Sequence, residues 1–454
     1  MRHAFRTLFF AVMWASLLGM GCGPTADATG DGGNNNGDGD GGPTGCQGAS
    51  CQNKCPAGTQ TTVRGRVLMP NGIDPVPQAL VYVPREVSEF PDTVQCEVCD
   101  QITDIAIVST QSADDGSFVL GPIPTAENQA PGFAVQLVAQ KGRFRKLVEY
   151  TIDAPCAENV AGNNDFELPG RTAGFDNIPN IAVADGSYDQ MECVLLKLGI
   201  EQGAFDIYAG TSSLFGGGAP GTQGNLDTLL LDLTRMKTYN IIFINCSNNE
   251  YETLLTNAAV KNNIRDYVQS GGRLYITDWS YDYIEQVPEF APIIDFGPDV
   301  DSNPGQPEPM NAGAMGEGGI ETDATVLQDG LRRWLEAVEA VTGDNVIDDQ
   351  GRVHITHFLA GWVMQAQVPP ADNVTVWLEG PVSGGNYVNE TLPLTTTFDY
   401  ADCGRVLYSS YHTEGGGNPL AQAFPTYCAS GELTPQERVL EYLILHIADC
   451  ITVD

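Results

Sequence analysis

The sequence predicts a multidomain chain: a small antiparallel β-sandwich followed by an α/β domain with a parallel sheet. Three observations carry this. Short alternating runs punctuated by Gly and Pro fill residues 60–170. Nearly continuous apolar strands alternate with helices over residues 171–454. Ahead of both, residues 23–45 are almost all Gly, Asp, Asn, Thr and Pro, which makes a flexible tether with nothing to bury.

The first element is an export signal over residues 1–21. Arg2, His3 and Arg6 give a basic start, and Leu8 to Met20 give an apolar run too short to cross a bilayer as a helix. The segment Leu18-Gly19-Met20-Gly21-Cys22 resembles a bacterial lipobox, with Gly19 standing where an aliphatic residue is expected. The resemblance implies that Cys22 is lipidated, with palmitate among the acyl chains, and becomes the mature N-terminus. Ordinary cleavage nearby is the rival reading. Each buried methylene of such an anchor contributes about 0.8 kcal/mol, so two or three chains hold the protein at a membrane surface. The expected location is therefore the cell envelope outside the cytoplasm, at the outer membrane or cell surface. The tether, residues 22–45, carries Asp31, Asp38 and Asp40 at a calcium-like spacing, but no Glu closes a loop there.

Composition narrows the partners. Lys and Arg total 22 against 58 acidic residues, a net charge of −36, so repulsion opposes nucleic acid and anionic lipid alike. There are 12 cysteines, and without Cys22 the remainder is odd. In an exported chain most should be disulfide-bonded, with at least one left free or paired outside the chain. Cys46, Cys51 and Cys55 are expected to staple residues 46–59, and Cys96 and Cys99 to pin a loop between strands.

Strands of the first domain are read at Thr61 to Leu68, Ala79 to Pro84, Gly116 to Leu120, Phe133 to Ala139 and Phe144 to Ile152. The runs "VRGRVLMPNG", "PVPQALVYV", "DDGSFVLGPIP" and "VQLVAQKGRFRK" resemble the carboxypeptidase regulatory-like (transthyretin-like) domain. That likeness implies a spacer, a folding accessory or a carbohydrate-binding-like module, without catalysis.

In the second domain the strands are Ile178 to Ala184, Phe205 to Tyr208, Tyr239 to Asn245, Arg273 to Thr277 and Gly404 to Tyr411. Helices fall over Tyr188 to Gly199, 258–269 and Val326 to Val341, and a last one is capped by Thr434, Pro435 and Glu437. The runs "YNIIFINC", "IRDYVQSGGRLYITDWSYDYIE" and "GRVLYSSYHTEG" resemble the class I glutamine-amidotransferase-like superfamily, especially its trehalose-utilisation-type relatives. The likeness implies a flavodoxin-like α/β fold, with about 295–375 as an insertion holding His354 and His357. The two-domain layout also resembles exported proteins of myxobacterial type.

Function in such a sheet lies beyond the carboxyl ends of its strands. The family places a cysteine nucleophile on the elbow after the "GG" strand and a His-x-Glu pair after a late strand. His412 and Glu414 match the pair, but Asp278, Trp279 and Ser280 occupy the elbow, which has no cysteine. The candidate catalytic residues are His412, Glu414, Ser280 and Asp278, with Cys246 as a rival nucleophile expected instead in a disulfide. Trp279, Tyr281 and Tyr411, aromatic with polar tips as at sugar sites, are candidate ligand-binding residues together with Asp282, and Tyr283 could line the same pocket. No cofactor is predicted and no metal site is assigned: Asp278, Asp282 and His412 could offer carboxylate and imidazole ligands, while strand alternation would turn His354 and His357 to opposite faces and His446 lies within the last helix. The favoured function is a non-catalytic binding or scaffold role toward a glycan or envelope partner, with no nucleic acid. A hydrolase using His412 and Glu414 with Ser280 or a bound metal is the alternative.

The anchor has a direct test. Cys22→Ser is expected to move the protein from the membrane fraction to the soluble one; unchanged fractionation would remove the lipid anchor from this reading.

Overall fold

Seven short strands make two facing sheets in the first part of the chain. The computed structural model describes residues 54–96, 105–186, 188–210, 223–246, 252–297, 309–359, 361–413, 424–428 and 431–447. Signal, tether, Cys22, Cys46, Cys51, Cys99 and Glu414 lie outside those residues. The strands β1 (Thr62–Arg66), β2 (Leu80–Pro84), β3 (Ala106–Gln111), β4 (Ser117–Leu120), β5 (Phe133–Lys141), β6 (Phe144–Ile152) and β7 (Glu158–Val160) follow the predicted runs and add two. One sheet runs β3-β2-β5-β6 and is antiparallel throughout. The other runs β4-β1-β7, with β1 and β7 parallel, so the pair of sheets is not purely antiparallel.

The rest of the chain builds one sheet of nine strands. β8 (Ile181–Ala184), β9 (Asp206–Tyr208), β10 (Ile241–Ile244), β11 (Arg273–Thr277) and β16 (Gly404–Ser409) are mutually parallel in the order β9-β8-β10-β11-β16. The predicted all-parallel sheet ends there. Antiparallel strands β15 (Tyr387–Tyr400), β14 (Val374–Gly384), β12 (Thr322–Val326) and β13 (Arg352–Ile355) continue it outward, so the sheet is mixed. The stretch read as an insertion thus supplies two sheet strands, and Val326 ends β12 where a helix was expected to begin.

Alternation along β10 divides the core. Ile241 and Phe243 face one hydrophobic cluster while Ile242 and Ile244 face another, as the two-residue repeat of a strand requires. On the first face lie α1 (Met191–Lys197), α7 (Asp329–Thr342) and α8 (Pro435–Ile447), with Leu195, Trp334 and Leu443 buried. That cluster continues without a break into the sandwich through Val63, Phe118, Leu137 and Phe166. On the opposite face lie α2 (Leu226–Leu230), α3 (Leu233–Met236), α4 (Glu252–Leu255), α5 (Ala258–Gln269) and α6 (Asp282–Glu285). The capping box at α8 forms as read: Glu437 accepts from the Thr434 N–H at 2.6 Å, and Thr434 Oγ1 accepts from the Glu437 N–H at 3.3 Å.

Polar contacts also join the sandwich to the α/β body. Trp334 Nε1 donates to the Pro75 carbonyl at 2.8 Å. Arg438 on α8 pairs with Asp74 of the sandwich and reaches Glu441 and Asp344, each at 3.4 Å. Disulfides Cys55–Cys156, Cys96–Cys403 and Cys193–Cys428 tie distant parts of the chain together. They place the folded body in a non-cytoplasmic, oxidising setting. Among the described residues no helix is long and apolar enough to cross a membrane.

Arg438 is 3% exposed, so removing it strands Asp74 and Glu441 in a low-dielectric interior. Arg438→Met is expected to cost about 3–5 kcal/mol of unfolding free energy, read from denaturant midpoints. An unshifted midpoint would show that the pair is energetically silent.

Candidate functional site

Three adjacent parallel strands, β10, β11 and β16, end side by side, and the next residues of each carry reactive groups. Cys246 lies two residues past β10, Asp278 directly follows β11, and His412 lies three past β16. Their ligand atoms fall within 4.8 Å of one another, and all three side chains are buried. The site is closed: Cys246, Asp278, Ser280 and His412 are each 1% exposed or less.

The backbone explains how Asp278 reaches the middle of this group. It adopts φ +41°, a left-handed conformation that side-chain-bearing residues rarely take, at the junction of β11 and the 3-10 turn Asp278–Tyr281. Its Oδ1 accepts from the Val363 N–H at 2.6 Å, and its carbonyl accepts from Tyr408 Oη at 3.2 Å. Oδ2 faces the other two groups, accepting from Cys246 Sγ at 3.5 Å and lying 3.0 Å from His412 Nε2. The latter is an ion-pair distance. On the other side of the ring, Nδ1 lies 3.1 Å from the His357 carbonyl. Gln436 Nε2 donates to the His412 carbonyl at 2.6 Å, and Thr413 donates through both N–H and Oγ1 to Asp189 Oδ1.

Burial pushes the Cys246 thiol well above its ordinary range, and the charges of Asp278 and Asp189 push it further, so this sulfur keeps its proton. For His412, burial works against the charged ring. Asp278, Asp189 and the His357 carbonyl outweigh it, and its pKa is raised. Behind the site, Glu192 accepts from Asn245 Nδ2 at 3.0 Å and from Tyr427 Oη at 2.7 Å. Burial lifts its carboxyl to about 8 even though the Tyr427 hydroxyl favours the ionised form; Asp185 and Asp189 add to the rise.

Of the predicted site residues, the structure brings Asp278 and His412 together and adds Cys246. Cys246 was expected in a disulfide, yet it is the free thiol among the described cysteines. Ser280 Oγ donates to the Asn245 carbonyl at 2.9 Å, while the group beside the His412 ring is the Asp278 carboxylate. Tyr281 is buried and its hydroxyl accepts from the Gly313 N–H at 2.9 Å; Asp282 accepts from the Asn311 N–H at 3.0 Å. Tyr411 Oη shares a hydrogen bond with Thr395 Oγ1 at 2.9 Å, and Trp279, half-buried, stands edge-on to Tyr281. His354 is exposed and pairs with Asp323 and Glu321; His357, past the end of β13, sits against Thr356 Oγ1. His446 is half-buried in α8 against Trp377. Sequence reasoning missed Val363 and weighed His357 only for its ring; here they act through a backbone N–H and C=O and so leave no side-chain signal.

No family model matches the chain, and no curated protein matches it. Solved structures with similarity include a cytoplasmic protein from Salmonella typhimurium, at 13% identity over 60% of this chain and 99% of that one, TM-score 0.29. A candidate ThuA-like protein from Parabacteroides merdae matches at 15% identity over 56% of this chain and 91% of its own, TM-score 0.30. A candidate GMP synthase component from Thermoplasma acidophilum matches at 10% identity over 60% and 94%, TM-score 0.32.

Glu192 gives the site a pH signature. The unfolded carboxyl titrates near 4.5 and the folded one near 8. The stability tied to its proton is therefore complete below about pH 4.5 and is lost as pH rises through about 8. Glu192→Gln is expected to flatten that loss, gaining on the parent protein in alkaline but not acidic buffer. Denaturation midpoints that fall equally with pH in both proteins would refute the assignment.

Proposed function

We propose that this chain is a surface-anchored lipoprotein whose folded body binds a glycan or an envelope partner without turning it over. In this reading residues 60–170 are a regulatory-like sandwich serving as accessory or spacer. Residues 171–454 are an amidotransferase-like, trehalose-utilisation-type domain that lacks the family's nucleophile. One observation carries the non-catalytic part: the elbow residue is Asp278, and both of its carboxylate oxygens are engaged within the protein, by Val363 on one side and by Cys246 and His412 on the other. A nucleophile has to be exposed to its substrate, and every group in this cluster is buried.

A second reading rests on the same group. A carboxylate, an imidazole and a reduced thiol gathered at strand ends are the parts of a hydrolase, with Asp278 or Cys246 standing where Ser280 was expected and the His357 carbonyl orienting the His412 ring. The two separate on one variant. The mature protein is expected to be retained by purified peptidoglycan or outer-membrane vesicles. His412→Ala should alter that retention by less than about tenfold, equivalent to about 1.4 kcal/mol. Retention by neither material would sink the binding role. Turnover of an ester, amide or glycan that His412→Ala abolishes would establish the hydrolase in its place.

A further inference from the structure

We propose that Cys246, Asp278 and His412 form a buried mononuclear site for a divalent cation of the zinc class, a reading that goes beyond the binding role and does not depend on it. The three offer one sulfur, one oxygen and one nitrogen, with all ligand atoms within 4.8 Å of one another. Zinc takes these donors at about 2.0–2.3 Å in a tetrahedral arrangement, which sets ligand atoms roughly 3.3–3.8 Å apart. Asp278 Oδ2 already stands 3.5 Å from Cys246 Sγ and 3.0 Å from His412 Nε2, so shifts of about an ångström complete the geometry.

The surroundings are those of a ligand set. The His412 ring is held through Nδ1 by the His357 carbonyl, which fixes the tautomer that presents Nε2 to the cluster. That Nε2 is buried 3.0 Å from Asp278 Oδ2, with no hydrogen bond formed to it. Asp278 is fixed through Oδ1 by Val363, and at Oδ2 a metal would replace the Cys246 thiol proton that it now accepts. Cys246 is fully buried and free, whereas the six other described cysteines are in disulfides. A thiol held apart from disulfide chemistry beside an imidazole and a carboxylate suits a borderline-soft ion better than calcium or magnesium. The charges also balance. As the Sγ–metal bond forms, the thiol proton leaves to water, and thiolate plus carboxylate neutralise the +2 ion, so the ion and its ligands together carry no net charge. A proton shared between His412 and Asp278, with no metal, is the competing arrangement.

The test uses the full-length protein, matured by export in cells grown with zinc, and elemental analysis after purification. A second preparation grown with cobalt is examined for the near-ultraviolet thiolate-to-cobalt charge-transfer band. We expect one ion per chain and a clear band. Cys246→Ser should abolish the band, and both it and Asp278→Asn should weaken zinc affinity by at least about tenfold. His354→Ala, which removes the exposed His354–Asp323–Glu321 group, should change neither readout. The proposal is overturned by three results: metal-free wild-type protein, a band that survives Cys246→Ser, or metal lost with His354→Ala. Should Cys246→Ser fail to fold, Asp278→Asn, which retains the sulfur, decides by affinity alone. Loss of this site leaves the envelope-binding role intact, because retention on peptidoglycan or vesicles is read separately.

Discussion

Asp278 holds a left-handed backbone at φ +41°, and the chemistry at the strand ends depends on that one residue. Such a conformation costs on the order of 1–3 kcal/mol, so it lasts only where neighbours over-determine it. Here Val363 holds the carboxylate, Tyr408 holds the carbonyl, and the Cys246 N–H bonds to Thr277 Oγ1 one residue earlier. Without the sharp turn, the carboxylate would continue along β11. With it, the carboxylate folds back over the sheet end, where β10 and β16 deliver Cys246 and His412. The same geometry gathers the three donors at one point.

The sandwich is a wall of the α/β body. The hydrophobic cluster beneath α8 runs from Val63 to Leu443 without interruption, and α7 is fastened to the sandwich by the Trp334–Pro75 hydrogen bond. An independent spacer would meet its neighbour through a polar surface, as modest inter-domain contacts do. Here the ion pair between Arg438 and Asp74 is buried inside that shared core, so the two parts gain their stability together.

Sequence reasoning reached the strands because periodicity is physical. Apolar runs such as Ile241–Ile244 have to be covered on both faces, and parallel strands have to place their carboxyl ends together, which brought Asp278 and His412 into view. The Thr434–Glu437 capping box was legible for the same reason, since its residues satisfy orphan N–H groups. What escaped was non-local. The hairpin β14–β15 carries many Thr and Gly residues, and its place in the middle of the sheet is fixed by partners far along the chain. Helix α1 starts at Met191, later than Tyr188, because Gln190 stays outside helical geometry. Disulfide pairing and the free state of Cys246 are facts of distance, and spacing along a chain does not encode them.

The disulfides interleave. Cys55–Cys156 and Cys193–Cys428 each straddle one end of Cys96–Cys403, whose partners are separated by 307 residues. A chain threaded amino end first through a pore offers Cys55, Cys96, Cys156 and Cys193 long before Cys403 and Cys428. Oxidation in order of arrival would join neighbours along the chain, such as Cys55 to Cys96, whereas Cys55, Cys96 and Cys193 each reach past nearer cysteines to their native partners. Reaching the native set therefore demands either an oxidant that waits for the last strand and helix or an isomerase that undoes early links. Maturation of this protein is in that sense a sorting problem, and a host that merely oxidises would fill with scrambled isomers.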